Sequence, residues 1–349
     1  DSTASVLDPT CGAGAFLSLF QKELNIQSER LYGVDIDSKS IESCKKNLEY
    51  VEENIINANI LSSELWDIFP DKKVVGGAPL NVSLRLHKLG AHSRMISRIG
   101  QDQDGDKLIE FLKKESFDHS LIQSDAEYPT GNVQVHLDNN NTATYTISEP
   151  VAWDHITVDQ NDIKGISKTD AFIFGSLCCR NKTTKNTLFE YLSHAKFKVF
   201  DANLRPPFYT MELIVALMEM SDMIKLNDEE LEEITKFLHS DSKSVENRIK
   251  HLSELTHTSH ICVTLGAKGA VYFTNGEFFK NPGYKVIVAD TVGAGDSFLA
   301  SLVYQFVMGL PAQQALDFSC AMGSLVTSKN GATADVSMEE INSLQDSQK

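Results

Sequence analysis

The chain has 349 residues, enough for one large domain or two ordinary ones. Apolar residues make up 42% of the sequence and charged residues 23%, which is typical of a globular protein. Its formal net charge of −16 repels nucleic-acid phosphates, so we expect no nucleic-acid partner. The most apolar stretch, at 211–220, carries Glu212 and Glu219, which excludes it as a membrane span, and we expect no membrane partner.

The cysteines point to a reducing compartment. They form no CxxC pair and no cluster with histidine at metal-ligand spacing. Disulfides persist mainly in oxidising environments, so we expect reduced thiols and a cytoplasmic location. The six cysteines are Cys11, Cys44, Cys178, Cys179, Cys262 and Cys320.

The first segment, residues 5–61, alternates short apolar runs with helical sequence. The predicted strands are "SVLDP", "RLYGVDID" and "NIINANIL", and helical apolar spacing follows the first two. Gly12 and Gly14 allow a tight turn after the first strand, and Asp35 stands near the end of the second. This alternation predicts a parallel sheet with crossover helices.

Residues 5–61 resemble the opening of the Rossmann-like N6-adenine DNA methyltransferases, through "VLDPTCGAGAFL", "LYGVDID" and "NIINANIL". The resemblance implies a loop for S-adenosylmethionine, with Asp35 at the ribose hydroxyls and Asn59 where that family usually has Asp. The family's catalytic motif, an acid or amide followed by Pro-Pro and an aromatic residue, is absent from the chain. We therefore expect a truncated, partial Rossmann-like βαβαβ segment at 1–62 without methyl-transfer activity.

The middle and the end of the chain contain a hairpin pattern and further strands. Residues 130–149 alternate apolar and polar positions around an Asn-rich turn at 139–141, which predicts a β-hairpin. Strand sequences then alternate with helical or loop sequence, and residues 296–328 are strongly helical. The later predicted strands are "AFIFGSL", "KFKVFDANL", "MIKLN" and "HICVTLG".

The stretch "DTVGAGDSF" at 290–298 predicts a phosphate site. Small residues that open a helix let backbone N–H groups and the positive end of the helix reach an anion. Asp296 follows this loop directly and is placed to accept a proton from an attacking hydroxyl group. Asp also caps helices well, so a plain helix cap is the alternative role for Asp296.

From Glu64 to about residue 335 the chain resembles the PfkB, or ribokinase-like, carbohydrate kinases, and among them the fructokinases. The resemblance implies a three-layer α/β/α sandwich with a small β lid formed by residues 130–149. Asn132, Gln134 and Tyr145 are candidates for the inner face of that lid. The matching motifs are "ELWDIFPD" at 64–71, "GGAPLN" at 76–81, "DANLRPPFY" at 201–209, "KLNDEE" at 225–230, "VTLGAKGA" at 263–270 and "DTVGAGDSF".

The resemblance implies site residues and cofactors by position. The catalytic group is Asp296, Gly293, Ala294, Gly295 and Arg205. The substrate-binding group is Asp67, Gly76, Gly77, Asn81 and Asn203. The nucleotide-binding group is Lys225, Asn227, Thr264, Gly266 and Gly269. Glu230 is expected near Mg²⁺ and Asp290 near a monovalent cation such as K⁺. The alternative role of Asn227 and Glu230 is to begin a helix, where acidic residues are favourable. The alternative role of Arg205 is an ion pair with a surface carboxylate.

The join between the two resemblances lies at 54–71. A fructokinase has an apolar strand that ends in Gly-Glu before "LWD", whereas this chain has "NILSSE". We expect "IINANIL" to serve as that central strand and divide the chain into 1–62 and 63–349. The predicted function is ATP-dependent phosphorylation of a sugar, preferring fructose, by an enzyme that dimerises through its lid. The alternatives are a 2-keto-3-deoxygluconate kinase, a fusion that only binds nucleotide, and a methyltransferase fragment.

Overall fold

The computed structural model describes residues 6–8, 31–33, 56–62, 65–68, 73–137, 143–240 and 242–348. The chain divides into two compact units, Asp1–Ile55 and Ile56–Lys349. In the first unit, strands β1 (Val6–Asp8) and β2 (Leu31–Gly33) pair in parallel, as the strand predictions require. The helices and the glycine loop predicted for this unit lie outside the described residues.

The second unit contains two sheets and ten described α-helices. Its strands are β3 (Asn57–Leu61), β4 (Trp66–Ile68), β5 (Lys73–Val75), β6 (His92–Gly100), β7 (Ile122–Asp125), β8 (Val133–Leu137), β9 (Ala143–Ile147), β10 (Ala171–Gly175), β11 (Lys198–Asp201), β12 (Met223–Asn227), β13 (His260–Thr264), β14 (Ala270–Thr274) and β15 (Glu277–Asn281). Its helices are α1 (Ala78–Lys88), α2 (Gln103–Lys114), α3 (Gln160–Ile166), α4 (Lys182–His194), α5 (Met211–Glu219), α6 (Asp228–Phe237), α7 (Val245–Thr256), α8 (Ala294–Val307), α9 (Ala312–Thr327) and α10 (Met338–Ser347).

The large sheet has nine strands in the order β15-β14-β13-β12-β11-β10-β3-β6-β7. The pairs from β7 to β13 are parallel, and β14 and β15 add an antiparallel edge. Parallel strands end at one edge of a sheet, so the loops that follow β10 to β13 gather there. The predicted strands "AFIFGSL", "KFKVFDANL", "MIKLN" and "HICVTLG" are confirmed as β10 to β13.

Strand β3 lies inside this sheet, between β10 and β6. Its position confirms that "IINANIL" serves as the central strand of the kinase-like fold. The third strand of the segment predicted at 1–62 therefore belongs to the large sheet, within the compact unit Ile56–Lys349. The domain boundary between residues 62 and 63 stays a prediction.

The two faces of the large sheet bury separate cores. Side chains alternate along a strand, so Phe172 and Phe174 enter one cluster while Ala171 and Ile173 enter the other. The first cluster includes residues of α4, α5, α6 and α7, and the second includes residues of α1, α8 and α9. Helices thus cover both faces, which gives the predicted three-layer α/β/α sandwich.

The small sheet is the lid, with strand order β5-β4-β8-β9. Strands β8 and β9 form the predicted antiparallel hairpin, and β8 also pairs in parallel with β4. The Asn132 side-chain oxygen accepts from Gln134 Nε2 at 3.3 Å and from Ser148 Oγ at 2.9 Å. The side chain of Tyr145 lies outside the described residues, and the roles of all three lid candidates stay predictions.

Two further observations bear on the environment of the chain. Cys178, Cys179, Cys262 and Cys320 are free thiols buried in the second unit, which agrees with the expected reduced state. Among the described residues, no helix combines the length and apolarity that a membrane crossing requires.

Candidate active site

The residues that we predict to bind phosphate lie at the start of helix α8. Gly293 precedes the helix with a φ of 76°, and a Cβ there would overlap the backbone of Ala332. No described side chain caps this helix start, so the loop "GAGD" presents its first backbone N–H groups without a local side-chain acceptor. Ala294, Gly295 and Asp296 form the first turn, as the motif predicted. This arrangement suits an anion.

Asp296 is held by a residue from the other signature motif. Asn81 Nδ2, on α1, donates to Asp296 Oδ2 at 2.8 Å. Burial, with a smaller contribution from the charge of Asp201, raises the pKa of Asp296 to about 6, against the lowering by the Asn81 hydrogen bond, Lys225 and Arg205. A carboxyl group with a pKa just below neutrality is both ionised and basic enough to accept a proton at physiological pH.

Lys225 brings a buried positive charge beside the loop. Its amine donates to Asp201 Oδ1 at 3.1 Å, and both side chains are less than a tenth exposed. Burial by itself lowers the pKa of Lys225, but the carboxylates of Asp201, Glu230 and Asp296 raise it above its ordinary value. A Cβ on Gly295 would lie 3.5 Å from Lys225 Nζ. The protonated amine therefore faces the first turn of α8.

Glu230 forms a capping box with Asn227 at the start of α6. Asn227 N donates to Glu230 Oε2 and Glu230 N donates to Asn227 Oδ1, each at 2.8 Å. The second oxygen, Oε1, accepts from Leu204 N at 3.0 Å. Burial raises the pKa of Glu230, with a further increase from Asp201, against the lowering by Lys225. These contacts match the helix-start alternative and also tie "DANLR" to α6.

The contacts of Glu230 limit how it could hold Mg²⁺. Both carboxylate oxygens already accept backbone N–H bonds, and no group of three or more acidic, His or Cys side chains among the described residues could hold a metal ion. Mg²⁺ commonly keeps several waters and binds through one or two carboxylates together with substrate phosphates. The residues therefore fit a Mg²⁺ ion carried by the nucleotide and contacted by Glu230 through water.

Four of the five predicted sugar residues lie on lid strand β4 and at the start of α1. Gly77 precedes α1 with a φ of 99°, and Asn81 N donates to Gly77 O at 3.0 Å. A Cβ on Gly76 would overlap the carboxylate of Asp67, which lies on lid strand β4. Asp67 is thus next to Gly76, Gly77 is bonded to Asn81, and Asn81 is bonded to Asp296. The structure brings these five residues together.

Arg205 and Asn203 lie in the loop after β11. Asn203 has a left-handed φ of 37°, and Arg205 Nη1 donates to Leu204 O at 3.3 Å. The guanidinium of Arg205 is one of the charges that lower the pKa of Asp296, so it lies within electrostatic reach of that carboxylate. Its binding role stays a prediction that this proximity supports.

The predicted nucleotide residues follow strands β12 and β13. Thr264 stands beside Asn227 in the parallel register, and Thr264 Oγ1 donates to Leu226 O at 3.3 Å. Gly269 has a φ of 81°, and a Cβ there would overlap the backbone around Asn281, which makes this glycine a packing requirement. Gly266 also has a positive φ, of 57°, but open space around its Cα.

Asp290 joins two loops at the base of α8. Its Oδ1 accepts from Val292 N at 3.0 Å and its Oδ2 accepts from Gly331 N at 3.2 Å. These bonds give Asp290 a structural role, and its expected contact with a monovalent cation stays a prediction.

Arg85 is a site residue that sequence reasoning missed. It lies one helical turn after Asn81 on α1 and is 2% exposed. Its Nε donates to Ser297 Oγ at 3.1 Å and its Nη2 to Ala334 O at 2.6 Å. Arg85 therefore fixes the residue next to Asp296 and the loop beside Gly293. The available signal was a lone arginine within the apolar run "NVSLRL".

Comparison with known proteins identifies the class. The model of the pfkB family carbohydrate kinases matches residues 53–339. A sugar kinase of Pyrococcus horikoshii is 28% identical over 294 residues, covering 81% of this chain and 90% of that protein. Fructokinase-2 of Zea mays is 28% identical over 277 residues, covering 74% and 81%.

Solved structures agree with this match. The Pyrococcus horikoshii sugar kinase in complex with ATP has a TM-score of 0.71 at 25% identity, covering 81% of this chain and 96% of that one. The Vibrio cholerae fructokinase with fructose, ADP and calcium bound has a TM-score of 0.72 at 22% identity, covering 83% and 99%. The protein is an ATP-dependent carbohydrate kinase with the ribokinase-like fold. It belongs to the pfkB family of carbohydrate kinases. The match begins at residue 53, so the methyltransferase resemblance of the preceding residues is not confirmed by it.

Proposed function

We propose that this enzyme transfers the γ-phosphoryl group of ATP to a hydroxyl group of fructose, with Asp296 as the general base. The observation that carries the proposal is the position of Asp296, in the first turn of an uncapped helix, bound to Asn81 and within electrostatic reach of Lys225 and Arg205. Phosphoryl transfer requires a base, groups that hold the hydroxyl, and positive charge close together. All three are present around this loop.

The chemistry follows from these groups. Asp67 and Asn81 hold sugar hydroxyls so that one oxygen points at the γ-phosphorus. As that oxygen attacks, its proton moves to Asp296, a bond forms to phosphorus and the bond from phosphorus to the ADP oxygen breaks. The Lys225 amine, the Arg205 guanidinium and the N–H groups of the α8 start neutralise the charge on the phosphoryl oxygens. Mg²⁺, when bound, offsets further phosphate charge, and Glu230 would contact it through water.

The preference for fructose rests on the motif "GGAPLN" and on the fructokinases among the relatives. A 2-keto-3-deoxygluconate kinase is the nearest alternative, because a solved 2-dehydro-3-deoxygluconokinase of Thermotoga maritima also shares the fold, with a TM-score of 0.73. Both substrates present hydroxyl groups to the same loop, and the lid decides which fits.

The test measures ADP release from ATP and Mg²⁺ with fructose, glucose, ribose, adenosine and 2-keto-3-deoxygluconate. We expect fructose to give the highest kcat/KM and Asp296→Asn to reduce it by at least about a thousandfold. Asp228→Asn, an exposed carboxylate in the first turn of α6, is the matched control and should retain full activity. Fructose-dependent release that survives in Asp296→Asn would overturn the base assignment. ATP binding without release for any sugar would favour the fusion that only binds nucleotide.

We also propose that the enzyme dimerises through its lid. Strand β5 is one edge of the small sheet, and its residues Lys73 and Val74 are exposed. An exposed edge strand presents unpaired backbone groups that a second copy can meet. Sedimentation equilibrium should show a dimer for the wild type. Val74→Pro should raise the dissociation constant of that dimer. A wild type that stays monomeric at high concentration would contradict this proposal.

A further inference from the structure

The two ends of the lid hairpin meet at one buried arginine. Arg180 Nη2 donates to the carbonyl oxygen of Ser148, directly after β9, at 2.6 Å. The Arg180 guanidinium lies 3.8 Å from the ring centroid of Trp153, and a Cβ on Gly131, just before β8, would overlap that same Trp153 ring. Both ends of the hairpin are therefore anchored on one Arg–Trp pair.

The anchor is rigid and electrically balanced. Arg180 Nε and Nη2 donate to the two carboxylate oxygens of Asp154 at 2.7 and 2.8 Å, and both side chains are only 3% exposed. Asp154 Oδ2 also accepts from Val151 N at 3.0 Å, in the segment that leaves the lid. A bidentate, buried pair of this kind holds its geometry more strictly than a surface ion pair.

Arg180 also contacts the loop that carries Arg205. The Phe208 ring centroid lies 5.1 Å from the Arg180 guanidinium, and Phe208 N donates to Arg205 O at 2.9 Å. Strand β8 of the lid pairs with β4 at the position of Asp67. Arg180 thus contacts both the lid, whose strand β8 pairs with the strand that carries Asp67, and the loop that carries Arg205.

The base of the lid also contains free space. An open surface pocket of about 190 Å³ is lined by Glu149, Pro150, Asp154, Arg180 and Asn181, of which Glu149 and Pro150 are exposed. Solvent therefore reaches the place where the lid hairpin ends, beside the buried Arg180–Asp154 pair.

We propose that Arg180 is a positioning residue that couples the lid to the Arg205 loop, so that a sugar seated under the lid draws Arg205 into place for phosphoryl transfer. This inference rests on the proposed function. Its consequence is suppression of wasteful ATP hydrolysis, because Arg205 takes up its position for phosphoryl transfer only when the lid closes over a sugar.

The kinetic test uses Arg180→Lys, which keeps a positive charge beside Asp154 but loses the planar fork and the stacking on Trp153. We expect the KM for fructose to rise about tenfold and the ratio of fructose-independent to fructose-dependent ADP release to rise at least about tenfold, with the KM for ATP within about twofold. Arg248→Lys is the matched control, because Arg248, on α7, donates from Nε to Ser242 O at 2.6 Å and pairs with Glu232 instead of the lid. If Arg180→Lys lowers the melting temperature but leaves the ratio of fructose-independent to fructose-dependent ADP release unchanged, Arg180 has only a structural role and the proposal is overturned.

A second variant separates the two sides of the coupling. Phe208→Leu removes the ring beside Arg180 and leaves the lid contacts intact, so it should raise the same release ratio. The double variant should show no more than the larger single effect, because both substitutions break one connection. Additive effects of the two substitutions would contradict coupling through Arg180.

Amide hydrogen exchange tests the coupling without relying on turnover. In Arg180→Lys without ligands we expect faster exchange both in the lid, at 131–137 and 143–148, and in the loop at 202–209. Faster exchange in the lid alone would overturn the coupling, whatever the kinase assay shows. The two proposals can fail separately. If the wild type releases no ADP with any sugar, the proposed function is overturned. The coupling is still supported if Arg180→Lys exchanges faster in both the lid and the loop at 202–209.

Discussion

The carboxyl group of Asp296, as the general base that we propose, should determine the pH range in which this kinase works. Burial and the charge of Asp201 raise its pKa to about 6, and only the ionised form can accept the hydroxyl proton. We expect kcat/KM for fructose to fall about tenfold per pH unit below pH 6 and to be level above pH 7.

The hydrogen bond from Asn81 offers a control for this profile. That bond lowers the pKa of Asp296, so Asn81→Ala should move the inflection to higher pH while reducing activity overall. An inflection near pH 4 in the wild type, or one that does not move in Asn81→Ala, would contradict the assignment.

The same carboxyl group should cost the protein stability. The folded-state pKa of Asp296 is raised, so the folded protein retains a proton that the unfolded chain releases, and this contribution to stability is lost as the pH rises through about 6. We expect Asp296→Asn to raise the free energy of unfolding by about 2 kcal/mol at pH 8 and to leave it unchanged at pH 4. Urea denaturation at both pH values measures the difference. Equal stabilities at pH 8 would show that the ionised carboxylate is well solvated in the folded state.

Gly76 must lack a side chain because Asp67 occupies that space. In Gly76→Ala the new Cβ would displace the carboxylate of Asp67, which we propose binds the sugar. We expect the KM for fructose to rise at least about tenfold, with the KM for ATP unchanged, in initial-rate kinetics. Gly165→Ala, on α3, is the control, because that Cβ would make only an ordinary contact with Arg94 of β6. An unchanged KM for fructose would exclude Asp67 from sugar binding.

At the scale of elements, strand β3 contains an unsatisfied polar group. Asn59 is completely buried, and its side-chain oxygen and nitrogen have no hydrogen-bond partner among the described residues. A buried amide without partners destabilises a fold, whereas Val is close in size and favours strands. We expect Asn59→Val to raise the free energy of unfolding by about 1–2 kcal/mol, measured by urea denaturation.

The matched variant for this strand is Asn59→Asp, which places a charge at the same buried position. It should lower the stability by more than Asn59→Val raises it, because an unpaired buried charge is more costly than an unpaired amide. If Asn59→Val destabilises the protein instead, the amide must have a partner such as a bound water.

At the scale of the whole molecule, strand β3 determines where the chain can be divided. It lies between β6 and β10 and belongs to the compact unit Ile56–Lys349. We expect a chain of residues 54–349 to melt cooperatively and to phosphorylate fructose at a rate within about threefold of the full chain. Circular dichroism melting and the ADP-release assay measure both properties.

A chain of residues 63–349 is the informative comparison, because it begins at the predicted domain boundary and lacks β3. Removing the central strand leaves the backbone groups of β6 and β10 unpaired in the core, so we expect no cooperative transition. If this shorter chain folds and works, the boundary at 62 and 63 is correct and β3 is dispensable.

Local features of the sequence determined the elements of this fold. The strands β10 to β13, the lid hairpin and the helices α8 and α9 were predicted, because apolar periodicity and turn residues depend on neighbours in sequence. The loop at 293–296 was also predicted, because small residues at a helix start let backbone N–H groups reach an anion. The sequence left two roles for Asp296, a general base and a plain helix cap. Resemblance to a known family added the sugar and nucleotide residues.

Tertiary structure alone decided which of these residues meet. Asn81 contacts Asp296 across 215 residues, and Arg85 contacts Ser297 across 212, because the order of strands in the sheet brings α1 beside α8. Only the fold shows that both oxygens of Glu230 are occupied by backbone groups and that Arg180 joins the lid to the Arg205 loop. Sequence patterns report local backbone preference, whereas such contacts depend on how distant segments pack.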